Sequence, residues 1–121
     1  MTDAPHTKLK KLFHEPNRLA IMSALCRAAE GLLFNELKEE CSLTDGNLSR
    51  HIKTLKEAGV IEVNKFFKGV KPLTRVVMND TGREHFVEYL TALEEVLKDA
   101  ASALGEKRAD NHGVAGDAVT V

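Results

Sequence analysis

The sequence predicts a mainly α-helical fold with one small β-hairpin, in the order helix, helix, helix, hairpin, long helix. Three observations predict it. Apolar residues recur at helical spacing in Leu19, Ile21, Met22, Leu25 and Cys26, and again in Leu48, Ile52 and Leu55. Two β-rich runs, Val60 to Phe67 and Leu73 to Met78, flank the tip Lys-Gly-Val-Lys-Pro. A sustained apolar rhythm then passes through Phe86, Leu90, Leu93, Leu97, Ala100 and Leu104.

Leu9, Leu12 and Phe13 give a short apolar face at helical spacing. Pro16 suits the first turn of the next helix, because that turn has no use for its missing N–H. That helix is expected to stop near Glu30 and Gly31, where glycine can take a left-handed cap. In Leu-Leu-Phe-Asn-Glu-Leu-Lys-Glu-Glu-Cys-Ser, Asn35 is the expected cap of a brief helix from Glu36 to Cys41. Its early glutamates suit the positive end of the helix dipole. Ser-Leu-Thr-Asp-Gly is turn chemistry. Thr44 is the expected N-cap of a helix ending at Ala58, with Gly59 just beyond. Gly69 is free to turn the hairpin. Thr81-Gly-Arg-Glu84 has the spacing of a capping box opening the long helix.

At 121 residues the chain is expected to form one domain, residues 1–104. Residues 105–121 hold no Leu, Ile or aromatic side chain and are expected to be a disordered tail. The longest run free of charge, Leu19 to Cys26, is eight residues, far short of a membrane span. With no apolar signal core at the start, the expected location is cytoplasmic. Cys26 and Cys41 fall beside apolar residues without Cys-x-x-Cys spacing, which favours buried reduced thiols over a redox or metal role.

Charge is unevenly distributed. Residues 44–79 hold seven basic and three acidic side chains, while the rest of the chain holds ten basic and fifteen acidic. A positive segment in a chain of net charge -1 suits an anionic partner.

Within that segment, Leu48, Ile52 and Leu55 share a buried stripe, so Asn47, Arg50, Lys53, Thr54 and Glu57 project from the other side. A short helix and a tight turn containing Gly46 come first. This is the helix-turn-helix arrangement, whose second helix enters the major groove of double-stranded DNA with its N-terminal residues near base edges. Arginine can grip guanine in a fork, and asparagine can do the same with adenine. Ser49 is small and can donate to a phosphate or a base, and Gly46 lets backbone approach a phosphate. Lys68 and Lys71, at the hairpin tip, can reach flanking phosphates or a minor groove, which positions the protein without reading sequence.

The stretches Asn-Leu-Ser-Arg-His-Ile-Lys-Thr-Leu-Lys-Glu-Ala-Gly-Val-Ile (47–61), Lys-Gly-Val-Lys-Pro-Leu-Thr-Arg (68–75) and Leu-Phe-His-Glu-Pro-Asn-Arg-Leu-Ala-Ile-Met-Ser-Ala-Leu (12–25) resemble the winged helix-turn-helix transcriptional regulators of the ArsR/MarR type. The resemblance covers about residues 9–104. It implies that Thr44, Gly46, Asn47, Ser49, Arg50, Lys53 and Thr54 belong to a DNA recognition helix. It places Lys65, Lys68 and Lys71 in the wing. His51 matches a frequent histidine of the family, at the edge of the buried stripe.

The long helix, about 81–104, has more apolar face than a small domain needs. It either packs on its own domain or pairs with a second copy. The favoured expectation is a homodimer held by Leu9, Leu12, Phe13, Phe86, Leu90, Leu93, Leu97 and Leu104, with the N-terminal helix a candidate for exchange across the axis. The expected function is sequence-specific regulation of transcription on a near-palindromic operator. The alternative is a protein-interaction module that does not bind DNA. No phosphate loop, nucleophile–base pair or metal-ligand cluster suggests an enzyme or a cofactor. Metal-sensing members of the family usually carry clustered Cys or His, whereas here Cys41 stands alone. A small-molecule effector would have to sit at the dimer interface.

Overall fold

The computed structural model describes residues 10–110, with side chains described through residue 105. Its elements are α1 (described residues 10–13), α2 (Pro16–Cys26), β1 (Leu32–Leu33), α3 (Phe34–Cys41), α4 (Asp45–Glu57), β2 (Ile61–Lys68), β3 (Lys71–Met78) and α5 (Asp80–Asp110). The mainly helical class is as expected, with a three-stranded antiparallel sheet in the order β1-β3-β2. The chain divides into two units, one ending at Tyr89 and one beginning at Leu90.

The first unit is built around Phe13, Ile21, Met22, Leu25, Leu37, Leu48, Leu55, Val60, Val76 and Phe86, all buried. Each such side chain contributes roughly 1.5–3 kcal/mol by leaving water. The apolar stripes of α2 and α4 supply much of this set, as their spacing requires.

Local differences from the sequence reading have local causes. Helix α2 ends at Cys26, ahead of Gly31, because Arg27 and Ala28 already turn back onto the carbonyls of Ala24 and Leu25. Gly31 has φ +87°, and a side chain there would strike the carbonyl oxygen of Val76 and a methyl of Val77. The glycine therefore serves a close approach of backbones, which lets Leu32 and Leu33 pair with Val76 and Arg75 of β3. Two residues of strand are too few to show an alternating pattern, so the sequence predicted a hairpin alone. Helix α3 begins at Phe34, and the carboxylate of Glu36 accepts the backbone N–H of Leu33 at 2.7 Å. Asn35 is therefore not the cap.

The turn between α3 and α4 is made by Ser42 in the left-handed region, φ 55°. Its N–H reaches Glu39, and the N–H of Leu43 reaches Lys38, closing the helix in a Schellman pattern. Gly46 is not in that turn. It lies inside the first turn of α4, and Thr44 is the N-cap, accepting from the N–H of Asn47 at 3.2 Å.

Strands β2 and β3 pair without interruption from Ile61↔Met78 to Lys68↔Lys71. Gly69, φ 65°, begins the two-residue turn, as a type II′ hairpin requires. Helix α5 is capped by Asn79 rather than by the expected Thr81–Glu84 box. The Asn79 side chain accepts from the N–H of Gly82 at 2.7 Å and donates to the carbonyl of Gly59 and the carboxylate of Glu62. The helix continues past Leu104 to Asp110, through residues expected to begin a tail. Glu106, Lys107, Arg108 and Ala109 are good helix formers, and adding residues to an existing helix is far easier than nucleating one. The rest of that expected tail, 111–121, lies outside the described residues. No helix among the described residues is long and apolar enough to cross a membrane.

Candidate nucleic-acid interface

Helix α4 has a sharply divided surface. Leu48, His51, Ile52 and Leu55 are buried. Asn47, Ser49, Arg50 and Lys53 are exposed on the other side. The structure thus gathers four of the expected DNA-contacting residues on one accessible face, in the N-terminal part of the helix.

Two details refine their roles. A guanidinium N–H of Arg50 donates to the side-chain oxygen of Asn47 at 3.0 Å. Arg50 is thereby held toward the start of the helix, and Asn47 is positioned to brace it. The hydroxyl of Thr54 donates to the carbonyl of Arg50 at 3.2 Å, and Thr54 is half-buried. Its only donor is occupied within the helix, which leaves it less to offer a base or phosphate than the sequence suggested.

The start of α4 suits an anion. Its first N–H groups lack helical partners, and the dipole is positive there. Asp45 would oppose a phosphate, but Lys38 pairs with it at 2.9 Å. Gly46 is exposed, its φ is not positive, and a Cβ at this position would meet nothing within 4 Å. The chain's own packing does not require glycine here. Gly46→Ala is expected to stabilise the protein by roughly 0.4–1 kcal/mol while weakening duplex binding. Thermal melts and mobility shifts on the same preparation check this, and affinity rising with stability would show that no phosphate comes close to residue 46.

Behind the exposed face, His51 joins α4 to α2. Arg18 donates to His51 Nδ1 at 3.3 Å, and also to the carbonyls of Leu12 and Lys11 at 2.6 and 3.2 Å. An arginine cannot accept, so Nδ1 is the acceptor and the proton sits on Nε2. That nitrogen is buried without a hydrogen-bond partner, 3.8 Å from a carboxylate oxygen of Glu15. Glu15 itself caps α2, accepting from the N–H of Arg18 at 2.8 Å. Burial pushes the His51 pKa down. Glu15 opposes the shift, and Arg18 and Arg50 reinforce it. These surroundings support a packing and hydrogen-bonding role for His51.

A pH effect follows. The folded pKa lies below the unfolded value, so the neutral ring's contribution is fully present above about pH 6.5. It is lost as pH falls through the folded pKa, because the unfolded chain takes up the proton first. The melting temperature should therefore drop more between pH 7.5 and 5.5 in the parent than in His51→Gln. Equal drops would remove His51 as the cause.

In the hairpin, Lys65, Lys68 and Lys71 are exposed. Lys65 joins Ser49, Lys53 and Lys56 of α4 around an open groove of about 440 Å³, floored by Phe34, Ile52 and Val63. Three lysines and a serine along one groove are suited to the path of a phosphate backbone. Arg75 lies over the ring of Phe66 at 5.3 Å, a cation–π contact that stiffens the hairpin.

The apolar residues assigned to dimerisation divide into two groups. Phe13 and Phe86 are buried against each other within one chain, with ring centroids 5.1 Å apart, and Tyr89 completes the cluster. Their surface is already used, so they are core residues here rather than a free seam, and Leu12 is half-buried. Leu9 lies outside the described residues. In the second unit Leu90, Leu97 and Leu104 are exposed at 39%, 59% and 64%, and Leu93 is half-exposed.

Cys26, expected to be buried, is exposed at the end of α2, and Cys41 is half-buried. Among the described residues no three His, Cys, Asp or Glu side chains gather to hold a metal ion. The sequence reading missed the bracing of His51 by Arg18 and Glu15, which lie more than thirty residues away and which no local pattern marks. It also missed the Asn79 cap, a local signal three residues before Gly82 that the Thr81–Glu84 spacing displaced.

Comparison with known proteins bears on this site. An uncharacterized protein of Methanocaldococcus jannaschii is 35% identical over 89 residues, covering 74% of this chain and 96% of that one. The solved structure of a transcriptional regulator homologue from Pyrococcus horikoshii OT3 is similar at 28% identity and a TM-score of 0.71, over 79% of this chain and 96% of the other. A MarR-family structure from Enterococcus faecalis V583 shares the fold at 15% identity, with a TM-score of 0.67 over 88% of this chain and 96% of its own. The family model described as a winged helix DNA-binding domain matches residues 17–97, a span running from the first turn of α2 through the helix-turn-helix and the hairpin into α5. The chain belongs to the winged helix DNA-binding family.

Proposed function

We propose that the protein is a transcriptional regulator that binds double-stranded DNA sequence-specifically, as a homodimer on a near-palindromic operator. The observation that carries the reading is the exposed row Asn47, Ser49, Arg50 and Lys53 at the start of a helix whose opposite side is locked into the core. Arg50, braced by Asn47, reads a base edge in the major groove. Ser49 and Lys53 hold phosphates or neighbouring bases, and Lys65, Lys68 and Lys71 hold the flanking backbone. Family membership and likeness to solved regulators support the same conclusion.

The dimer rests on the apolar row of α5. Leu90, Leu97 and Leu104 are exposed in one chain and recur at a spacing that lets two helices interlock. A two-fold dimer carries two copies of α4, which would address half-sites roughly 34–36 Å apart. An effector, where one acts, would sit at that interface. Control of transcription implies an intracellular location, beside the DNA.

Selection of bound sequences from a random duplex pool, followed by mobility shifts across a salt series, tests this. Recovery of a near-palindrome is expected. If each protomer neutralises about four phosphates, the log–log salt slope of the dimer is about −7. Lys71→Ala should weaken binding to all sequences alike and make that slope shallower by about one to two. A chain that binds no duplex at 50 mM salt, or binds as a monomer to sites without symmetry, would overturn the respective part of the proposal.

A further inference from the structure

The hairpin tip carries an apolar surface that the fold does not use. Phe67 is 71% exposed and Val70 is 96% exposed. Phe67 is paired across the hairpin with Pro72, and Val70 completes the turn after Gly69. Its neighbour Phe66 differs, being half-buried with Arg75 over its ring. Among the described residues Phe67 has no ring partner and no cation over it. A bare aromatic on a two-stranded hairpin invites aggregation unless it has a partner.

Position and charge indicate which partner. Register is regular through the hairpin, so Val63, Lys65 and Phe67 share one face of β2. Val63 and Lys65 line the same groove as Ser49, Lys53 and Lys56 of α4. The ring of Phe67 is thus on the sheet face that carries the lysine-lined groove, farther out toward the tip. Lys65, Lys68 and Lys71 flank it, and no Asp or Glu occurs from Lys65 to Asn79. An apolar wedge set among cations, with no acid nearby, is complementary to a base step lying between two phosphate backbones.

We propose that this tip enters the minor groove of the bound duplex and that Phe67, supported by Val70, wedges between two base pairs and kinks the DNA. This rests on the DNA-binding reading above and adds to it a deformation of the ligand. Wedging side chains unstack a step and bend the duplex by roughly 20–90° toward the major groove. Pyrimidine–purine steps unstack at least cost, so the flanks of the operator should favour TA or CA/TG at the position the tip reaches. The protein would then select sequence at a position where it forms no hydrogen bond to a base.

The test uses the full chain and the duplex recovered by selection, dye-labelled at both ends, with 2-aminopurine replacing adenine at successive flanking positions. The parent should shorten the end-to-end distance and brighten 2-aminopurine at one step in each half-site. Phe67→Ala should abolish both signals and weaken binding about five- to a hundredfold, with the salt slope unchanged because no charge is lost. Phe67→Leu should retain part of the bend. The side chain is largely exposed, so both variants should melt near the parent temperature. A straight duplex with silent 2-aminopurine in the parent, or an unchanged bend in Phe67→Ala, overturns the wedge while leaving DNA binding intact. So does a Phe67→Ala variant that changes the mass of the free protein instead, because the tip is then a protein contact. Failure of the parent to bind the selected duplex at low salt removes the underlying reading as well.

Discussion

Arg50→Ala is expected to lose about 1–3 kcal/mol of discrimination at one base pair in each half-site, so roughly 2–6 kcal/mol across a palindrome. Binding to random duplex should fall far less, since one cation among several is removed. The effect is large because a planar fork of donors fits the two acceptors of guanine, and no neighbour can replace it. Asn47 sharpens the test. Its oxygen holds Arg50 at 3.0 Å in the free chain. If Asn47 acts as a brace, Asn47→Ala should relax preference at the same base pair as Arg50→Ala, and the double variant should lose less than the sum. If it reads adenine on its own, preference should relax at a second base pair, with additive losses. Competition binding against single-base operator variants distinguishes the two. Should Arg50→Ala keep the parent's full preference at every position, α4 is not the reading helix.

Gly82→Ala is expected to destabilise the protein strongly for the addition of a single methyl group. A Cβ at Gly82 would stand 2.0 Å from the carbonyl oxygen of Val60 and 2.9 Å from its carbon. Val60 is fully buried, and its carbonyl accepts the N–H of Asn79 at 3.2 Å. Neither backbone can yield without disturbing the capping of α5 by Asn79. Overpacking of this kind costs about 1–3 kcal/mol and sometimes more, against a gain of at most about 1 kcal/mol from helix propensity. Each kcal/mol lost lowers the melting temperature by about 4–8 °C in a domain of this size. The control is Gly46→Ala, the same change in the first turn of another helix, where the added methyl meets open space. If Gly82→Ala melts no lower than the parent, α5 does not start as close to β2 as the structure has it.

The contrast between these two glycines shows what the sequence could reveal. Both sit early in a helix, and composition cannot tell them apart. Only the long-range fold places a backbone against one of them. The buried stripe of α4 was readable because Leu48, Ile52 and Leu55 obey helical spacing, and Thr44 because capping chemistry acts over three residues. Strand β1 was too short to have a period. His51 and Arg18 lie 33 residues apart, and Asn79 and Gly59 lie 20 apart, so no local rule joins them. Phe86 and Leu97 follow the same apolar rhythm, yet one is buried in its own chain and the other is exposed. Periodicity reveals that a face is apolar but not what covers it. The exposed row of α4 was legible for a simpler reason: it is whatever remains of the helix once the stripe is assigned.

The Phe13–Phe86–Tyr89 cluster also equips the protein with an optical reporter. The chain has no Trp and one Tyr, so its emission on excitation in the tyrosine absorption band comes in effect from a single ring. That ring is buried, and its hydroxyl lies 2.8 Å from His14 Nδ1. Loosening of the N-terminal helical turn from the start of α5 should therefore register as a change in brightness and lifetime of one native fluorophore, with no dye attached and no residue replaced.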